Sequence, residues 1–237
     1  MNNPYKRVLL KVSGEALKHD NPDRVIDDDF TDEIAGAIGE CIKNGVQVAV
    51  VIGAGNIWRG AKQGRGMDRC TADNMGMLAT CINCLGMQDS LREKGVPSVV
   101  LTAFDMPKVA ELFRKDKAVE AMEAGKVVLL ACGSGNPFFS TDTAAVLRAA
   151  ELGCDAMMMA KNIDGIYNKD PKNDKAAVRY DELTYKEILV QGLKAIDLTA
   201  AALADEAGIP MLVFDANDPI NIAKVILGEK KPGTIVK

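Results

Sequence analysis

The sequence predicts an α/β fold: a three-layer α/β/α sandwich around a mostly parallel central sheet. Three observations carry that prediction. Apolar runs at 7–12, 46–52, 97–102, 126–132, 155–160, 210–214 and 233–236 have the length of strands, and most lack period-2 alternation, as expected of strands covered on both faces. Helical patterns fill most of the gaps between them. Each helical pattern stops at a glycine, the residue that most readily ends a helix in a left-handed conformation.

Taken in order, the patterns predict helices over 31–44 ending at Gly45, 71–94 ending at Gly95, and 107–124 ending at Gly125. Pro107 suits the first turn of the third, because its missing N–H has no partner there in any case. Further helices are expected over 141–152, 197–207 and 219–227, closed by Gly153, Gly208 and Gly228. Strand and helix alternate throughout, which favours parallel strands joined by crossover helices. The helix at 71–94 carries two apolar stripes, Met75, Leu78, Ile82 and Leu85 on one and Met77, Cys81 and Cys84 on the other. A helix apolar on two sides is either deeply buried or packed against another subunit.

Composition removes several classes of function. The chain has 237 residues, 48% of them apolar, and a net charge of −4, which gives no electrostatic footprint for nucleic acid. No apolar run approaches 18 residues and the first residues lack the apolar core of a signal peptide, so a cytoplasmic protein without a membrane partner is expected. The six cysteines (41, 70, 81, 84, 132 and 154) lie mostly on apolar segments and read as reduced core thiols. Cys81-x-x-Cys84 has the spacing of a redox or zinc motif, but it sits mid-helix with no second such pair. His19 is the single histidine, which argues against Ser-His-Asp catalysis and histidine-based metal sites; no bound metal is expected from the protein's own side chains.

The candidate chemistry lies where strands run into glycine turns, since open parallel sheets bind ligands beyond the C-terminal ends of their strands. None of these turns has the P-loop pattern GxxxxGK[ST] or the dinucleotide pattern GxGxxG. Lys11, near the end of the first strand, precedes Val12, Ser13 and Gly14; a lysine there either meets an anion or points into water. The second strand ends in Gly53-Ala54-Gly55-Asn56, followed by Arg59, Lys62, Arg65 and Arg69. Such a charge run is commonly a solvated loop, yet directly after a glycine turn an arginine can clamp phosphate with its two-pronged guanidinium. Asp73 then either accepts from a sugar or stabilises the helix N-terminus.

Residues 133–142 (GSGNPFFSTD) link an apolar strand to a helix start, an arrangement whose converging N–H groups and helix dipole attract anions. Capping by Ser140 or Thr141 explains part of it, though not the two glycines and the adjacent Phe138 and Phe139. In the fourth loop, 161–171, Tyr167 could stack on a base and Asp170 could accept from a ribose.

Together, KVSGEAL at 11–17, GAGNIWRG at 53–60, ADNMGMLAT at 72–80, GNPFFSTD at 135–142 and KNIDGIYNKDP at 161–171 resemble the ordered motif set of the bacterial uridylate kinases, within the amino acid kinase superfamily. The resemblance spans 7–236. It implies one domain over 1–237 with the amino acid kinase fold, acceptor nucleotide and phosphates toward the N-terminal part and ATP toward the C-terminal part. The implied activity is transfer of a phosphoryl group from ATP, with Mg²⁺, to UMP in pyrimidine nucleotide synthesis. ATP would meet Lys11, Val12, Ser13, Gly14, Gly55, Arg59, Asn162, Tyr167 and Asp170. UMP would meet Ala54, Asp73, Ser134, Gly135, Asn136, Pro137, Phe138, Phe139, Ser140 and Thr141. Lys11 and Arg59 would act on the transferred phosphoryl, with Asp142 organising the basic groups. A homohexamer built as a trimer of dimers and feedback by UTP are also implied.

Two positions depart from the family pattern. Ala54 stands where a third glycine is common, and 18–30 is acidic and glycine-free where many relatives carry a glycine-rich stretch associated with GTP activation. The second departure speaks against activation by GTP. Two rival readings remain at this level: a sister kinase of the same fold acting on acetylglutamate, aspartate or carbamate, and a non-catalytic nucleotide or oxyanion store.

Overall fold

The computed structural model describes residues 3–18, 23–58, 66–171, 173–193 and 196–237. Seven strands fall where apolar runs predict them: β1 (Arg7–Val12), β2 (Gln47–Ile52), β3 (Ser98–Thr102), β5 (Val127–Ala131), β6 (Ala156–Lys161), β10 (Met211–Asp215) and β11 (Thr234–Val236). Four two-residue strands complete the set: β4 (Glu111–Leu112), β7 (Ile166–Tyr167), β8 (Arg179–Tyr180) and β9 (Glu182–Leu183). Nine of these strands form one sheet in the order β4-β3-β5-β2-β1-β6-β10-β11-β9, while β7 and β8 pair separately. Only β10 and β11 run antiparallel within the large sheet. The sheet is thus mostly parallel, as the unalternating strands require.

The helices are α1 (Gly14–Lys18), α2 (Asp28–Lys43), α3 (Arg69–Glu93), α4 (Lys115–Glu123), α5 (Thr141–Leu152), α6 (Tyr185–Gln191), α7 (Leu198–Ala207) and α8 (Ile220–Ile226). They divide the core in two. On one face Val8, Leu10 and Val12 of β1 pack with Ile34 and Ile38 of α2, Met77 and Cys84 of α3 and Ile222 of α8. On the other, Leu9, Met157 and Met159 pack with Val146 and Ala149 of α5 and Ala200 of α7. Alternate residues of one strand therefore feed opposite layers, which makes the three-layer sandwich.

Three helix expectations need correcting. Helix α2 starts at Asp28 rather than 31, because Asp27 caps it by accepting from the Phe30 N–H at 3.2 Å. Helix α3 likewise starts earlier, at Arg69, with Asp68 as its cap. The predicted helix over 107–124 exists only as α4. Residues 111–112 are instead drawn onto the sheet edge beside Leu101 and Thr102, and the Phe113 N–H donates to the Thr102 carbonyl at 2.8 Å. Phe113 then packs against the second core cluster with the Arg148 guanidinium 3.9 Å above its ring. An open strand edge and a buried aromatic outweigh local helix propensity here. The short elements α1, α6, β4, β7, β8 and β9 carry too little periodicity to be foreseen.

Of the two stripes on α3, one is buried, with Met77, Cys81 and Cys84 at 7%, 5% and 0% exposure. Met75, Leu78, Ile82 and Leu85 lie in the open, between 37% and 51% exposed. All six cysteines are free and only Cys70 is exposed, and no cluster of three His, Cys, Asp or Glu that could hold an ion occurs among the described residues. No helix among them is long and apolar enough to cross a membrane.

Candidate active site

Three of the predicted loops converge above the C-terminal ends of β1, β2 and β5. Gly14 packs so tightly on the second turn that a Cβ there would lie 2.3 Å from the Gly53 carbonyl oxygen. Any side chain at that position would force the two turns apart. Gly53 in turn faces the Thr141 hydroxyl, which would stand 3.6 Å from an added Cβ. The second turn is anchored from below by Asn83 of α3, which is fully buried. Its Nδ2 donates to the Gly53 carbonyl at 2.7 Å and to Asn56 Oδ1 at 2.8 Å, while its Oδ1 accepts from Asn56 Nδ2 at 2.9 Å.

At this convergence Lys11 Nζ lies 2.8 Å from Asp142 Oδ1, with both side chains largely buried. Lys11 therefore meets an anion rather than water. Burial by itself would raise the Asp142 carboxyl, yet it is held below its ordinary value because the Lys11 and Lys161 ammonium groups favour the ionised form. Lys161, at the end of β6, is pushed down by burial, with Lys11 adding to that and Asp142 opposing it. Arg59 lies outside the described residues, as do Lys62, Arg65 and His19.

Thr141, next to Asp142 in the chain, lines a cavity of about 200 Å³ together with Ala54, Asp73, Thr80, Phe139 and Ser140 among others. Ser140 caps α5, its Oγ accepting from the Asp142 and Thr143 N–H groups at 3.1 Å. Ser140 also donates to Asp197, which caps α7 and accepts from Thr143 Oγ1 at 3.1 Å. Asp73 Oδ2 accepts from the Phe138 N–H at 2.8 Å and from Arg69 Nε at 2.7 Å. Phe138 holds a left-handed φ of 71°, unfavourable for a bulky residue, and is 66% exposed with Arg69 stacked 5.3 Å from its ring centre. Gly135 needs its φ of 79° for a second reason: an added Cβ would lie 3.2 Å from the Ala103 carbonyl oxygen. Ser134, Gly135, Asn136, Pro137 and Phe138 shape the loop but do not line the cavity.

A second cleft, of about 490 Å³, is lined by Lys161, Tyr167, Asp170, Pro171 and Leu193 among others. The Tyr167 hydroxyl donates to Asp164 Oδ1 at 2.8 Å, and Arg179 Nη1 donates to Asp164 Oδ2 at 2.5 Å. That acceptor raises the phenol of Tyr167, while the two donors bring the Asp164 carboxyl down despite its burial. Asp170 Oδ2 accepts from Asn173 Nδ2 at 2.7 Å. Asn162 is exposed on the same loop and lies outside the cleft lining. The Val12 carbonyl accepts from the Gly53 N–H at 3.0 Å and the Ser13 carbonyl from the Ala16 N–H at 3.0 Å, which ties the first turn to the second and to α1.

The sequence reading assigns no role to Lys161, Asn83 or Asp197. A lysine closing a buried strand, as Lys11 does on β1, is a signal that could have found Lys161. For Asn83 and Asp197 the partners are distant in the chain and no local pattern marks them.

A buried lysine–carboxylate pair under converging glycine turns, flanked by two clefts, is the arrangement of a group-transfer enzyme handling anions. The chain belongs to the amino acid kinase family, whose model matches residues 6–215. Within it, the structure is similar to the UMP kinase of Bacillus anthracis, with 36% identity, a TM-score of 0.93, and coverage of 99% of this chain and 96% of that one. The UMP kinase of Ureaplasma parvum matches with 38% identity and a TM-score of 0.91 over 100% of both chains. The uridylate kinase of Archaeoglobus fulgidus is 28% identical with a TM-score of 0.73, covering 97% and 99% respectively.

Proposed function

We propose that this protein is an ATP-dependent UMP kinase, making UDP and ADP by in-line phosphoryl transfer for pyrimidine nucleotide synthesis. The observation that carries the reading is the buried Lys11–Asp142 pair, 2.8 Å apart, with Thr141 beside it in the wall of the smaller cleft and Lys161, whose charge acts on Asp142, in the wall of the larger. UMP occupies the smaller cleft, against the Ala54 backbone, Asp73 and the loop 134–141, with Asp73 exchanging its present partners for ribose hydroxyls. ATP occupies the larger one, its adenosine against Tyr167 and Asp170 with Asn162 on the same loop, and its phosphates over Val12, Ser13, Gly14 and Gly55, the last of which lines the smaller cavity.

A phosphate oxygen of UMP attacks the γ-phosphorus while the bond to the β,γ-bridging oxygen breaks, and the electron pair leaves on ADP. The attacking oxygen is already anionic, so no general base is required; positioning and charge stabilisation suffice. Lys11 neutralises the transferred group, Arg59 helps hold it, and Asp142 orients the ammonium groups. Mg²⁺ fits as an ion carried in on the ATP phosphates, since Mg²⁺ commonly takes one or two carboxylates plus phosphate oxygens. The ion would be held mainly by those phosphate oxygens and would supply further neutralisation of their charge, since no cluster of three His, Cys, Asp or Glu among the described residues could hold it alone.

The exposed stripe Met75, Leu78, Ile82 and Leu85 supports self-association through α3, and with it the homohexamer built as a trimer of dimers. Sedimentation velocity reads the assembly. UTP as a feedback inhibitor and a cytoplasmic location belong to the same reading. A coupled assay offering UMP, CMP, acetylglutamate, aspartate and carbamate tests the function, with turnover expected on UMP. Phosphorylation of an amino acid or carbamate but not of UMP would sink it. Tight ATP binding without turnover on any acceptor would instead favour a storage role.

A further inference from the structure

A second lysine, Lys161, ends β6 next to β1 and lines the larger cleft. In the register of the sheet Lys11 lies beside Met159, and Lys161 follows two residues further along β6. Side chains alternate along a strand, so Lys161 leaves the sheet on the same face as Met157 and Met159, and Lys11 on the same face as Leu9. All five of these residues thus share one face, because Leu9, Met157 and Met159 pack together with Val146 and Ala149 of α5. Asp142 stands in the first turn of α5 over that face, bonded to Lys11. The main chain of Lys161 is fixed at its far end, where its carbonyl accepts from the Ala216 N–H at 2.8 Å beside β10. Its side chain lines the larger cleft, together with Tyr167 and Asp170.

We infer that Lys161 is a second catalytic lysine, acting on the ATP side of the transfer and stabilising charge on the departing β-phosphate oxygen. This inference rests on the proposed UMP kinase activity. Two ammonium groups face one carboxylate in a buried cluster, which costs desolvation and mutual repulsion that a phosphate anion offsets when it arrives. Lys11 and Lys161 divide the work by position. Lys11 is bonded to Asp142, whose neighbour Thr141 lines the smaller cavity, and Lys161 lies in the wall of the larger cleft. As the γ-phosphorus–oxygen bond breaks, negative charge grows on the bridging oxygen retained by ADP, and an ammonium there acts more strongly in the transition state than on bound ATP.

Lys161→Met removes the charge and keeps most of the bulk, so the fold is expected to persist. In the full-length protein kcat should fall about 10²-fold, the scale of losing one preorganised electrostatic donor. The affinity for Mg·ADP, read by calorimetry, should weaken several-fold, while the affinity for UMP should stay within about twofold. A variant with kcat within about threefold of the parent overturns the assignment. So does a loss of UMP affinity as large as the loss of kcat, which would mean that Lys161 only props up Asp142. If the parent protein phosphorylates no UMP, the proposed function fails instead, and Mg·ADP affinity alone judges Lys161; an unchanged value then overturns its role.

Discussion

The two clefts beside Lys11 are built of different material. The smaller is framed by long elements: Asp73 and Thr80 belong to the 25-residue helix α3, and Ser140 and Thr141 open α5. Its loop is tied down at several points, by Asp73 on the Phe138 N–H, by Asp197 on Ser140 and Thr143, and by Thr80 on the Cys132 N–H at 2.9 Å. The larger cleft is framed chiefly by the loop 161–171 with the two-residue strand β7, closed by Gln191–Leu193 and Val213, and the loop is held through Asp164 by Tyr167 and Arg179. A cavity fixed by helices can discriminate between acceptors, because its polar groups cannot follow a wrong ligand. A cleft made of short strands and loops suits a ligand recognised by its base face and phosphates.

Breaking this comparison at its centre should have the largest effect. Lys11→Ala is expected to lower kcat by about 10³-fold with the fold retained, checked by steady-state kinetics beside circular dichroism. Near-normal turnover would remove Lys11 from the transfer. On the rigid side, Asp73→Ala should raise the KM for UMP by about 10- to 100-fold, the scale of a lost charged hydrogen bond, and leave the KM for ATP nearly unchanged. A matching rise for ATP would show that the two clefts are not independent. On the looser side, Tyr167→Ala should raise the KM for ATP by about 5- to 10-fold through lost base stacking, with UMP unaffected.

The smallest effect concerns acid. Asp142 is held below its ordinary 3.8, so between those values the folded chain binds fewer protons than the unfolded one. The stability contributed by the group is fully present above about pH 4 and is lost as the pH falls through its folded value. Urea titrations across that range should show a shallower acid decline for Asp142→Asn than for the parent. An identical slope would mean that the Lys11–Asp142 pair contributes nothing to acid stability.

Much of this architecture was legible before any coordinates. The seven long strands lie on their apolar runs within a residue or so, and the cap at Ser140 follows from a hydroxyl before an apolar helix. Lys11 was legible as a charge needing a partner, and Asp142 as that partner through the family resemblance alone, because no local pattern links two residues so far apart in the chain. The segment 107–114 misled, because its proline and periodicity point to a helix while the open edge of β3 captures it as strand. Lys161 went unread because its surroundings come from β1, α5 and the cleft wall, none of them adjacent in sequence.

By itself, then, the sequence determined the alternation of strand and helix, the turns that end at glycine, and which residue types stand near phosphate. These depend on chemistry within a few residues: side-chain periodicity, backbone freedom and local capping. Only the tertiary structure decided that β1 lies between β2 and β6, and hence that Lys11, Asp142 and Lys161 share one face and one cluster. Strand order is set by the packing of the whole core, and no short stretch of the chain carries it.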